Sequence, residues 1–212
     1  MKKSIILSII LISSATFVQA QATDGDHREN LEFGAKAGVN FSRVWDERGQ
    51  DFEADGKLGF AGGLFLSVPV GEFLGFQPEI LISQKGFKGS GTLFDAPYSF
   101  SRTTTYLDIP LQLQLKPTEN LTFVAGPQYS YLLHQKDSYS FGNSSTAQEQ
   151  EFENDNIRKN VLGLVGGVDV IVSHLVISAR AGWDLQNNDG DGTTSTPRYK
   201  NQWVQLTLGL KI

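Results

Sequence analysis

Residues 106–117 read YLDIPLQLQLKP. Leu107, Ile109, Leu111, Leu113 and Leu115 fall on one side of an extended chain, and Asp108, Gln112, Gln114 and Lys116 on the other. Period-two alternation of this kind predicts a β-strand with two unlike faces. The pattern recurs along the chain, giving predicted strands over 33–44, 57–70, 73–87, 102–117, 120–134, 160–172, 175–185 and 201–212. In the first, Phe33, Ala35, Ala37, Val39 and Phe41 oppose Lys36, Asn40 and Ser42; in the last, Val204, Leu206, Leu208 and Leu210 oppose Gln205, Thr207 and Lys211. The sixth alternates less cleanly. Sustained 3.6-residue periodicity with capping residues is not found. Pro78 and Pro110 fall inside predicted strands; each lacks a ladder donor and is expected to mark an interruption or a bulge.

The connections sharpen this reading. Short links follow the second, fourth and sixth strands, near residue 71, at 117–120 and at 173–174. Long polar links, 45–56, 88–101, 135–159 and 186–200, follow the others. Turns at one end and loops at the other are the habit of outer-membrane barrels. The expected fold is therefore all-β: an eight-stranded antiparallel up-and-down transmembrane β-barrel spanning 33–212. None of the outward positions so assigned is charged, although charged residues make up 19% of the chain. A lysine or arginine facing lipid at the bilayer midplane costs about 2–4 kcal/mol, enough to empty that face. Phe41, Trp45, Phe60, Tyr129, Tyr131 and Trp183 are expected near the loop end, and Phe33, Phe76 and Phe123 near the turn end, as two interfacial girdles. A soluble barrel carrying a ligand would show the same alternation with the faces exchanged. The alternating link lengths favour the membrane.

The first residues bear on location. Lys2 and Lys3 precede an apolar run over 4–18, and small residues stand at 18–20, which predicts a signal peptide over 1–20 with cleavage after Ala20. Residues 21–32 then form a periplasmic N-terminal segment. The chain has no cysteine, so no disulfide braces it. Cleavage would remove two lysines and make the net charge of −5 more negative still, which argues against a nucleic-acid partner.

Several segments taken in order carry a family likeness: FGAKAGVNFSRV, QPEILISQKGFKG, YLDIPLQLQLKP, VAGPQYSYLL, ISARAGWDLQN and QLTLGLKI. Together they resemble the PorT-family outer-membrane β-barrel domain of the Bacteroidetes, over nearly the whole chain after the signal. The resemblance implies an eight-stranded barrel in the cell outer membrane, inserted there by the barrel assembly machinery. Some relatives serve protein secretion and gliding. Barrels of this kind usually close on an aromatic residue; here the last residue is Ile212.

Candidate chemistry is sparse. Lys36, Glu79, Lys85, Asp108, Arg180 and Asp184 are expected to face the lumen as a structural ion network, since eight strands leave room mainly for side chains. The stretch NNDGDGT offers Asp189 and Asp191 as a weak calcium candidate, though it lacks the terminal glutamate of an EF-hand loop and any helical context. His27, His134 and His174 are scattered, and no nucleophile–histidine–acid grouping is evident. No cofactor and no enzyme activity are expected. Outer-membrane lipid is one partner, and the polar, acidic segment 135–159 offers a surface for an extracellular one. The reading is a plugged outer-membrane barrel acting structurally or through its surface loops. Its rivals are a narrow solute conduit, a secretion-machinery component, a membrane-embedded enzyme and a soluble ligand carrier.

Overall fold

Nine strands follow a short 3-10 turn (His27–Glu29): β1 (Glu32–Trp45), β2 (Asp55–Pro69), β3 (Leu74–Leu93), β4 (Ala96–Thr118), β5 (Leu121–Phe141), β6 (Ser144–Gln150), β7 (Asn160–Val172), β8 (Leu175–Asp184) and β9 (Lys200–Lys211). The computed structural model describes residues 27–45, 54–93, 96–141, 144–150, 158–188 and 199–212. The expected signal peptide and the calcium candidates Asp189 and Asp191 lie outside the described residues.

Eight of the strands close into a ring. Each pairs antiparallel with its sequence neighbour, β5 pairs with β7 across the segment that holds β6, and β1 pairs with β9 from Gly34↔Lys211 to Trp45↔Lys200. Reciprocal backbone hydrogen bonds between Phe33 and Ile212, 3.0 and 2.8 Å, complete the seam. Closure removes the unpaired edges that a membrane would not tolerate. The turns after β4 (Glu119, Asn120) and β7 (Ser173, His174) are two residues long, and Ser173 takes a left-handed φ of 56° to make the second.

All eight predicted strands are present, but two of the expected loops are not loops. Segment 88–101 is mostly paired strand, with β3 running to Leu93 and β4 starting at Ala96. Segment 135–159 contains the upper part of β5 and the whole of β6, paired from Gln135↔Gln150 to Phe141↔Ser144. β7 occupies the edge of β5 up to Tyr131, and β6 takes over that edge above it. The strands β3, β4 and β5, of 20, 23 and 21 residues, outrun β8 and β9, of 10 and 12. A four-stranded ribbon, β3-β4-β5-β6, thus rises from one side of the loop end.

Pro78 and Pro110 mark interruptions rather than bulges: pairing skips from Pro78↔Leu111 to Leu81↔Asp108 and from Pro110↔Gln128 to Leu113↔Ala125. Pro78 stays in register opposite Leu111, and Pro110 opposite Gln128. The register slips instead between Gly56 and Ala61, between Thr105 and Tyr106, and between Leu115 and Thr118.

The two faces separate by chemistry. Val39, Phe41, Phe60, Leu64, Leu113, Leu162, Val204, Leu206 and Leu208 stand exposed on the outside, while Asn40, Glu79, Lys85, Gln112, Ser130 and Thr207 are buried inside. β7 alternates like its neighbours; its irregular look in sequence comes from Val161 and Val165, which fill the lumen. Within the predicted strand intervals, one charge breaks the uncharged outer face. Arg43 shares the outward side of β1 with Phe41 and Trp45, at the loop end rather than at midplane. A charge near a bilayer interface costs only about 0–1 kcal/mol, against about 2–4 at midplane.

Candidate functional site

The lumen holds the charged groups in layers. Near the turn end, β1, β3, β7 and β8 bring together Lys36, Glu79, Asp169 and Arg180. Arg180 binds Asp169 with two parallel hydrogen bonds of 2.8 and 2.9 Å and lies 3.6 Å from Glu79. Its Nε donates to Gln112 Oε1 at 3.0 Å. Lys36 Nζ sits 2.6 Å from Glu79 Oε2, a close ion pair whose angle falls short of a hydrogen bond. Gln77 donates to Glu79 Oε1 at 2.7 Å and accepts from Gln114, whose own carbonyl takes the Ser67 hydroxyl at 3.0 Å.

Local geometry explains the bidentate pair. The two-residue turn at 173–174 sets Gly167 opposite Arg180 and Asp169 opposite Ser178. Arg180 and Asp169 are therefore diagonal cross-strand neighbours, within reach of long side chains. A Cβ on Gly167 would stand 2.7 Å from Arg180 Cδ and 2.0 Å from the Ala179 carbonyl oxygen. Glycine there lets the arginine stem lie flat across the strand.

A second layer sits toward the loop end. Lys85 Nζ lies 3.3 Å from Asp108 Oδ1 and donates to Ser130 at 3.4 Å, while Ser83 donates to the other Asp108 oxygen. The same ammonium stands over the Tyr106 ring at 4.8 Å and the Trp203 ring at 5.4 Å. Asp184 takes its hydrogen bonds from Asn201, through the side-chain amide at 2.6 Å and the backbone N–H at 3.3 Å.

Above these, Arg102 binds Asp137 through Nε and Nη2 at 2.8 and 2.7 Å. Phe87, Phe100, Tyr139 and Tyr199 pack around it, with ring centroids 4.8–5.6 Å apart. Burial pushes the Tyr199 phenol above its ordinary range, against the pull of Arg102. At the other mouth, Lys116 Nζ donates to the Arg28 carbonyl at 2.9 Å, Arg28 pairs with Glu72, and its guanidinium covers Phe73 at 4.9 Å. A polar cavity of about 30 Å³ remains beneath this segment, roomy enough to hold water.

The six residues expected in the lumen all point inward and are buried. Direct contacts join Lys36 and Arg180 to Glu79, Lys85 to Asp108, and Asp184 to Asn201. Two pairs go beyond the sequence analysis: Arg180–Asp169, and Arg102–Asp137, whose aspartate lies in the expected loop 135–159. Hairpin arithmetic from the 173–174 turn would have found the first pair. No sequence signal joins Lys36 to Glu79, whose strands are separated by β2. Among the described residues, no group of three histidine, cysteine, aspartate or glutamate side chains could hold a metal ion.

A closed antiparallel ring, apolar outside and ion-paired inside, defines an integral membrane β-barrel. Residues 19–211 match the family described as outer membrane protein beta-barrel domain, and the chain belongs to that family. The protein is accordingly one of the outer membrane. No curated protein matches it. Among solved structures it is similar to Ail, the attachment invasion locus protein of Yersinia pestis, at 14% identity over 86% of this chain and 99% of that one, with a TM-score of 0.46. It is also similar to Neisserial surface protein A, at 11% identity over 85% and 97% with a TM-score of 0.44. OprG of Pseudomonas aeruginosa shares 14% over 87% and 97% with a TM-score of 0.41.

Proposed function

We propose that this protein is a plugged, non-catalytic barrel whose work is done by the ribbon standing on its loop end. The carrying observation is the difference in strand length: β3, β4 and β5 continue well beyond the hydrophobic span of about 9–11 residues that a tilted strand needs. In the ribbon, β6 ends the sheet order, so its outer edge pairs with no described strand. A sheet edge of polar sequence, SSTAQEQ, suits an extended partner that adds main-chain hydrogen bonds. With loops outward, as in other barrels of the outer membrane, that partner is extracellular. The lumen supports the same reading, since the ion pairs and the aromatic cover occupy the space a solute would need.

The PorT resemblance adds a narrower affiliation and, with it, a secretion-machinery role as the second reading. The ordered sequence segments quoted above favour that affiliation. The test is in the cell. Protease applied to intact cells should cut within 135–159 while the barrel stays whole, and a photocrosslinker at Gln148 should capture a defined surface partner. Protection of this segment until the cells are lysed would place the ribbon on the periplasmic side and overturn the proposal.

A further inference from the structure

On the outer face, β8, β9 and β1 form a groove of about 420 Å³ near the loop end. Phe41 and Trp183 flank it, the small side chain of Ala181 lies between them, and Val204 continues it toward midplane. Trp183, Gln202 and Arg43 stand in one row across the three strands. Arg43 Nε donates to Gln202 Oε1 at 3.3 Å, which fixes the guanidinium beside the groove. One step further up, Lys200 is the register partner of Trp45. Arg43 is thus an exposed cation on a face otherwise given to lipid contact, and it adjoins an apolar channel wide enough for hydrocarbon.

We propose that this groove binds an anionic outer-leaflet lipid, its phosphate on Arg43 and an acyl chain along Phe41, Trp183 and Val204. A guanidinium fork matches two phosphate oxygens where an ammonium offers only a point charge. Aromatic side chains at the same height are the usual anchors at the headgroup boundary. Charge complementarity selects the headgroup: the cations Arg43 and Lys200 lie on this outer face at the loop end.

The test uses the full chain in symmetric vesicles, so its readout does not depend on which way the barrel inserts or on whether the ribbon has a partner. In a Trp45→Phe background, Trp183 emission is quenched by phosphatidylglycerol or phosphatidylcholine carrying brominated chains. A basic residue near the surface favours an anionic lipid by a factor of about five, and that preference is expected at Trp183. Arg43→Gln should bring the two lipids to parity, and Arg43→Lys should keep part of the preference. Heat-modifiable migration reports whether each variant is folded. If Arg43→Gln does not fold, Gln202→Leu, which frees the guanidinium from its anchor, should lower the preference. Equal quenching by both lipids in the parent, or a preference that survives these substitutions, overturns the proposal.

Discussion

Arg180 shows what a single residue does in this lumen. It neutralises Asp169 and faces Glu79, which Lys36 also approaches. Removing one member of a buried ion pair leaves an uncompensated charge and costs about 3–5 kcal/mol. Arg180→Met is therefore expected to lower unfolding stability by that amount, read as a shift in the urea midpoint of tryptophan emission in vesicles. Gly167→Ala should act on the same pair from below, displacing the arginine stem at a cost of about 1–3 kcal/mol in the same titration. The outer face answers to a different solvent. Leu206, near the middle of β9, should cost about 2–4 kcal/mol as Leu206→Arg, whereas Arg43, on the same surface at the loop end, is tolerated. At this scale alternation told which side each residue faces. It could not name partners, because a partner depends on register and, for Lys36 and Glu79, on curvature across an intervening strand.

The elements carry the clearest departure from expectation. Predicted strands ended near 87, 102 and 134, yet the ladders continue through Gly89↔Phe100 and Asp137↔Arg102. Within the bilayer one face must be apolar, so a strand announces itself by alternation. Above the bilayer both faces meet water, the contrast fades, and stretches such as KGSGTL and SYSF read as loop while their backbones remain hydrogen-bonded. Pro78 and Pro110 interrupt the pairing locally, since proline forfeits a donor, but the flanking pairs hold the register. Because β6 lies outside the ring, deleting residues 142–150 should leave the barrel able to insert. The expected result is unchanged heat-modifiable migration on gels, together with loss of any crosslink through the ribbon. A deletion that blocks folding would mean β6 belongs to the closure itself.

For the molecule as a whole, the decisive fact is which face the ring turns inward. The inward face packs Lys36, Glu79, Lys85, Asp108 and Arg180 into paired, buried contacts across the ring. The protein should therefore give no steady conductance in planar bilayers, and resolved unitary openings would revive the conduit reading. The sequence by itself determined the strands inside the bilayer, their antiparallel order and their two unlike faces, because the chemistry of each solvent is written at every second residue. Alternation alone is unchanged when the faces are exchanged, but the alternating link lengths chose the lipid-facing reading, and the closed sheet bears it out. Only the tertiary structure decided the layered ion pairs, the ribbon and the groove beside Arg43, because these depend on register and on strands brought together across the ring.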